Sequence, residues 1–175
     1  MSNFRPGIPE SREYSPFFEG YVSKSRAFDD PVHKLTEQLT EVLSLLQPLK
    51  EEQQLHRYAP GKWSVKEMTG HLIDTERILS YRALRIARAD HTPLAGFEEN
   101  GYVAAAVTES CDWSELLEEF THVRKASALM LRHFPDAAWQ RMDSSNGAPI
   151  SVRALAYILL GHVEHHLGIL RERYF

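Results

Sequence analysis

His162 and His166 lie one helical turn apart in the stretch SVRALAYILLGHVEHHLGILRERYF, residues 151–175. At about 100° per residue, Leu155, Leu159, His162, His166 and Ile169 share one helix face. Histidines at i and i+4 stack on that face, so both imidazoles can point at a single atom. Ring nitrogens inside an apolar stripe are costly to bury without partners, and a metal ion would satisfy both rings at once. The zincin signature H-E-x-x-H is absent, because Val163 follows His162. The inverted H-x-x-E-H form would need a histidine where Gly161 stands. Glu164 falls about 180° from the pair and is expected to face solvent, and His165 falls about 80° off the stripe.

His71 is the candidate third ligand. It belongs to a different helix, near its start and on the flank of its inner face, and convergence requires the two helices to be neighbours. Three imidazoles with open positions left over describe a catalytic rather than a structural metal site. Three neutral nitrogen donors suit zinc, nickel or another late divalent ion. Asp74 and Glu76 are the carboxylates nearest in sequence to His71. Each is either a partner that fixes the tautomer of a metal-bound ring or a surface charge. Trp63 either lines the pocket mouth or packs under the start of the second helix. Cys111 is placed by nothing in the pattern, so a thiol at the metal would come from a small molecule. No phosphate-binding glycine loop, dinucleotide fingerprint or Ser-His-Asp set competes with the histidines.

The elements that must position these groups follow from caps and periodicity. Residues 1–28, with Pro6, Gly7, Pro9, Pro16 and Gly20, read as an extended arm held to the body by Tyr14, Phe17, Phe18 and Tyr21. The remainder, 29–175, reads as one domain. Asp30-Pro31 starts a helix whose stripe is Val32, Leu35, Leu39, Val42, Leu43 and Leu46, ending near Pro48. Ser64 to Glu67 is a capping box, and the helix it opens runs towards Ala89. The arginines of that helix (77, 82, 85 and 88) read as a mostly outward, solvated face. A short helix is expected around 100–106. A third long helix, capped by Asp112 with Glu115 as a box partner, carries Leu116, Leu117, Phe120 and Val123. A loop over 135–149 turns at Ser144-Ser145-Asn146-Gly147, and Ser151 caps the last helix. With no convincing strand pattern, four amphipathic helices predict an all-α antiparallel four-helix bundle.

Composition narrows the setting. A chain of 175 residues with 43% hydrophobic and 25% charged content can bury one ordinary core. A net charge of −4 leaves no basic footprint for nucleic acid. No run reaches the ~18 apolar residues of a membrane span, and the first residues lack the apolar core of a signal peptide. One cysteine excludes an intramolecular disulfide, so a cytoplasmic setting is expected.

The run Gly61-Lys62-Trp63-Ser64-Val65-Lys66-Glu67-Met68-Thr69-Gly70-His71-Leu72-Ile73-Asp74-Thr75-Glu76, followed by Gly161-His162-Val163-Glu164-His165-His166-Leu167, resembles the DinB/YfiT-like superfamily. The resemblance extends from about residue 30 to the end. It implies an up-down-down-up four-helix bundle, a divalent metal held at the positions of His71, His162 and His166, and frequent homodimers. The implied activities are hydrolysis of a small-molecule substrate by metal-activated water, or S-transfer or isomerisation with a low-molecular-weight bacterial thiol. Some members lack the triad and bind no metal, whereas this sequence keeps all three positions. A non-catalytic helical binding or stress-response module is the remaining alternative.

Overall fold

The computed structural model describes residues 5–175. Its frame is four long helices: α2 (Pro31–Leu46), α4 (Val65–Ala87), α6 (Trp113–Arg132) and α7 (Val152–Ile169). Shorter helices α1 (Glu19–Ser25), α3 (Glu51–Gln54) and α5 (Glu99–Ala106) decorate it. Helices α2 and α4 each pack against both α6 and α7.

The helix starts follow the residues expected to cap them. Asp30 accepts from the backbone N–H of His33, with Pro31 in the first turn. Asp112 accepts from Ser114 and Glu115 N–H groups, but Glu115 does not reach back to complete a box. Ser64 and Glu67 do form the reciprocal box at the head of α4. Ser64→Ala should therefore cost about 1 kcal/mol of stability, read as a lowered urea midpoint.

Two expectations are corrected. Residues 135–149 are not all loop: β1 (Met142–Ser145) and β2 (Ala148–Ser151) pair antiparallel, with Met142 opposite Ser151 and Ser145 opposite Ala148. Asn146 and Gly147 both take positive φ, 53° and 74°, the backbone of a two-residue type I′ hairpin turn. The described part of the arm, 5–28, is not extended either; residues 1–4 lie outside the described residues. The arm makes two 3-10 turns, Ser11–Glu13 and Pro16–Phe18, and then α1, which lies along α7.

Gly161 permits that crossing. A Cβ built there would lie 1.9 Å from the carbonyl oxygen of Tyr21, so only glycine lets the two backbones approach so closely. Ser25 Oγ donates to the Tyr157 carbonyl (2.9 Å), and the Tyr157 hydroxyl donates to the Phe28 carbonyl (2.9 Å). Further back, buried Glu13 accepts from Ser151 Oγ and Arg153 Nε, both at 2.7 Å. Burial pushes its carboxyl up, but these bonds outweigh burial and hold it below its ordinary value.

The interior has two apolar clusters. One contains Leu35, Leu79, Ala128 and Leu155, and the other Leu39, Leu72, Phe120 and Leu167. Between them each long helix contributes buried polar groups: Gln38 from α2, Thr75 and Glu76 from α4, Arg124 and Ser127 from α6, and His162 from α7. Such a layer is expensive unless its groups partner one another or a ligand.

Candidate metal centre

The layer opens on the side where α4 meets α7. His71 lies two turns into α4, and His162 and His166 stack on α7 with all three rings buried. Their Nε2 atoms converge: His71 Nε2 is 2.9 Å and His166 Nε2 is 3.2 Å from His162 Nε2. Burial, and then the charge of His165, lower the His71 pKa to about 4. Burial also drives His162 and His166 well below 6.5, reinforced by neighbouring imidazoles. All three rings are neutral near pH 7, and in the tautomer with the proton on Nδ1 each offers its Nε2 lone pair to a cation.

Three lone pairs aimed at one point repel unless a proton or an ion stands between them. Nitrogens ~2.0–2.1 Å from a common ion, at angles from octahedral to tetrahedral, lie about 2.9 to 3.4 Å apart. The two separations from His162 fall in that interval, and the candidate ligand atoms of all three rings lie within 4.8 Å of one another, so the donor set fits a divalent ion. Within the described residues this is the one group of histidine, cysteine and acidic side chains close enough to hold a metal.

Aromatic rings wall the histidines. Trp63 lies 4.7 Å from the His71 ring and stacks on His166 at 6.5 Å, so it lines the pocket. Tyr21, brought in by the α1 crossing, sits edge-on to His162 at 5.3 Å and to His165 at 5.4 Å. His165 is half-buried on the flank. The cavity in front of the rings measures about 430 Å³, within the range of small-molecule sites. Its lining also includes Ser145 and Asn146 of the hairpin and Arg82 of α4.

The carboxylates near His71 in sequence go elsewhere. Glu76 is fully buried and pairs with Arg124 at 3.0 Å on α6. Asp74 is half-buried, its carboxyl raised first by burial, with Arg77 opposing. Neither hydrogen-bonds a ring of the triad, and buried His166 Nδ1 has no partner among the described residues. Glu164 does not face open solvent: it is half-buried and accepts from Gln38 Nε2 at 3.1 Å, because α2 covers that side of α7. Arg82 also departs from the outward reading. It is 5% exposed, because the segment after α4 folds back so that its guanidinium donates to the Ala95 carbonyl at 2.6 Å. Cys111 is exposed and is not part of the cavity lining. Tyr102 lies on the exterior against Phe97, and Tyr157 is core.

Residues missed in the sequence are thus Tyr21, Arg82 and Ser145. The hairpin signal Asn146-Gly147 was the available pointer to the last of these.

No curated protein matches the chain. Among solved structures it is similar to YfiT from Bacillus subtilis, with a TM-score of 0.74 and 18% identity over 81% of this chain and 82% of that one. YfiT is described as "a probable metal-dependent hydrolase with an unusual four-helix bundle topology". At that identity the likeness concerns the fold. Among the described residues no helix is long and apolar enough to cross a membrane. The model of the DinB superfamily matches residues 34–170, nearly all of the bundle, and this chain belongs to that superfamily.

Proposed function

We propose that this chain is a metal-dependent hydrolase of a small molecule, with one divalent ion, zinc or nickel, held by His71, His162 and His166. The observation that carries the reading is the convergence of three neutral imidazoles, with His71 and His166 Nε2 at 2.9 and 3.2 Å from His162 Nε2, in the lining of a cavity of about 430 Å³. Three protein nitrogens leave coordination positions for water and substrate. Bound there, such an ion acidifies water and polarises a carbonyl or similar electrophile.

The chain's own residues do the rest. Trp63 and Tyr21 exclude solvent from two sides of the rings and fix their planes by edge and stacking contacts. Burial keeps the imidazoles unprotonated, so protons do not compete for their lone pairs near neutral pH. YfiT's description, met on the same fold, supports the same class of reaction. An up-down-down-up helix order, a cytoplasmic setting and a homodimer belong to this proposal.

Protein purified without a histidine tag should carry about one divalent ion per chain. His162→Ala should lower metal affinity by more than about 100-fold. Turnover of model esters should vanish with chelator and return with metal. Ester turnover that ignores both chelator and His162→Ala would overturn the proposal. Turnover seen only with a low-molecular-weight thiol and an electrophile would move the assignment to S-transfer.

A further inference from the structure

The cavity contains a second group of polar side chains that the triad does not use. Arg82 is 5% exposed, yet burial lowers its pKa with no carboxylate among the described residues offsetting it. Its interactions are the hydrogen bond to the Ala95 carbonyl and the face of Phe97, 5.9 Å away. Thr75 and Ser145 also line the cavity, and Thr75 Oγ1 and Ser145 Oγ are buried with no hydrogen-bond partner among the described residues. A guanidinium stays charged even when burial lowers its pKa, as it does here. A buried cation and two idle hydroxyls in one cavity are costly unless a ligand completes them.

Their placement follows from α4. His71, Thr75 and Arg82 stand at i, i+4 and i+11, within about 40° of one another around the helix. His71 and Arg82 are about 16 Å apart along its axis, so they mark two ends of one elongated space. Ser145 reaches the Arg82 end from β1, beside the tight turn. Among the described residues Glu99 is the one carboxylate in the lining. It is half-buried at the start of α5, and its charge acts on Tyr21.

We infer that Arg82 and Ser145 form an anion subsite that takes the carboxylate or phosphate group of an elongated substrate, with Thr75 lying between it and the histidines. The forked guanidinium donates and the Ser145 hydroxyl can donate, the complement of an oxyanion. The substrate class is then an acyl or similar electrophile with an anionic group at the end remote from the reacting centre. That the reacting centre lies by the histidines rests on the hydrolase reading. The anion subsite itself does not.

Calorimetric titration of chelated, metal-free protein with hexanoate, hexyl phosphate and hexanamide separates the two questions. At least one anion should bind about 10-fold or more tighter than the amide, the worth of hydrogen bonds to a charged group. Whichever anion is preferred names the source of the charge. Arg82→Gln should abolish the preference, and Arg82→Lys should keep part of it. Ser145→Ala, which leaves the Arg82–Ala95 bond in place, should weaken the anion several-fold and leave the amide unchanged. Equal binding of anions and amide, no binding of any probe, or a preference that survives Arg82→Gln would each overturn the inference. A failed metal analysis would leave it standing.

Discussion

Gly161→Ala is expected to lower the unfolding free energy by about 3 kcal/mol, although alanine is the better helix former by about 1 kcal/mol. The added methyl would sit 1.9 Å from the Tyr21 carbonyl oxygen, and the atom in the way is backbone, which cannot rotate aside. Relief requires α1 to lift off α7. The bond from Ser25 to the Tyr157 carbonyl and the burial of Val22 are then lost. Gly168→Ala, on the same helix with open space at its Cβ, should instead stabilise by up to about 1 kcal/mol. Urea denaturation of the two variants reads opposite signs. Equal effects would show that the α1 crossing is not what Gly161 serves. Lifting α1 also withdraws Tyr21 from His162, so Gly161→Ala should weaken small-molecule binding in the cavity as well.

One short helix thus links the fold to the chemistry. The bundle alone leaves the outer side of α7 bare, yet Val152 to Leu160 of α7 are buried almost without interruption. A helix apolar on every side must be covered on every side. The run Ala154-Leu155-Ala156-Tyr157-Ile158-Leu159-Leu160 carried that information in the sequence, and α1 is the element that answers it. Reading only the stripe through Leu155, Leu159 and His162 finds the bundle face and misses the second one.

The same limit explains the other differences. Caps such as Ser64 and Asp30 are local chemistry, decided by residues three apart, and were legible. His162 and His166 were legible as a pair because the helix period alone stacks them. Their meeting with His71 depended on α4 and α7 being neighbours, which helical periodicity does not encode. Arg82, Glu76 and Glu164 read as surface-compatible charges on their own helices. Each is buried or half-buried by something distant in sequence: the Ala95 segment, Arg124 and Gln38. Long-range partners decide whether a charge can be buried, and single-helix patterns do not contain them.

The Glu76–Arg124 pair gives that statement its sharpest test. Both side chains are 1% exposed, and the pair spans α4 and α6 at 3.0 Å in the polar layer beside the histidines. Burial pushes the Glu76 carboxyl up and the Arg124 guanidinium down, each partly offset by the other. Arg124→Met should therefore destabilise by about 3 to 5 kcal/mol, because it strands a buried carboxylate. Adding Glu76→Leu should recover most of the loss, since a packed apolar pair is often as stable as the ions it replaces.

The sign of the pH dependence follows from linkage. Burial already holds the folded-state Glu76 carboxyl above the unfolded chain's value near 4.5 with Arg124 in place, and removing Arg124 takes away the charge that opposes the rise. Above the parent's own raised Glu76 pKa the parent stops losing stability with pH while Arg124→Met continues to, so the deficit against the parent grows with rising pH within the range of about 5 to 8. The double variant, with no buried acid, should show no such growth. Urea denaturation across that range measures all three proteins, and a deficit in Arg124→Met that is flat with pH would mean that Glu76 finds another cation or water when its partner is gone.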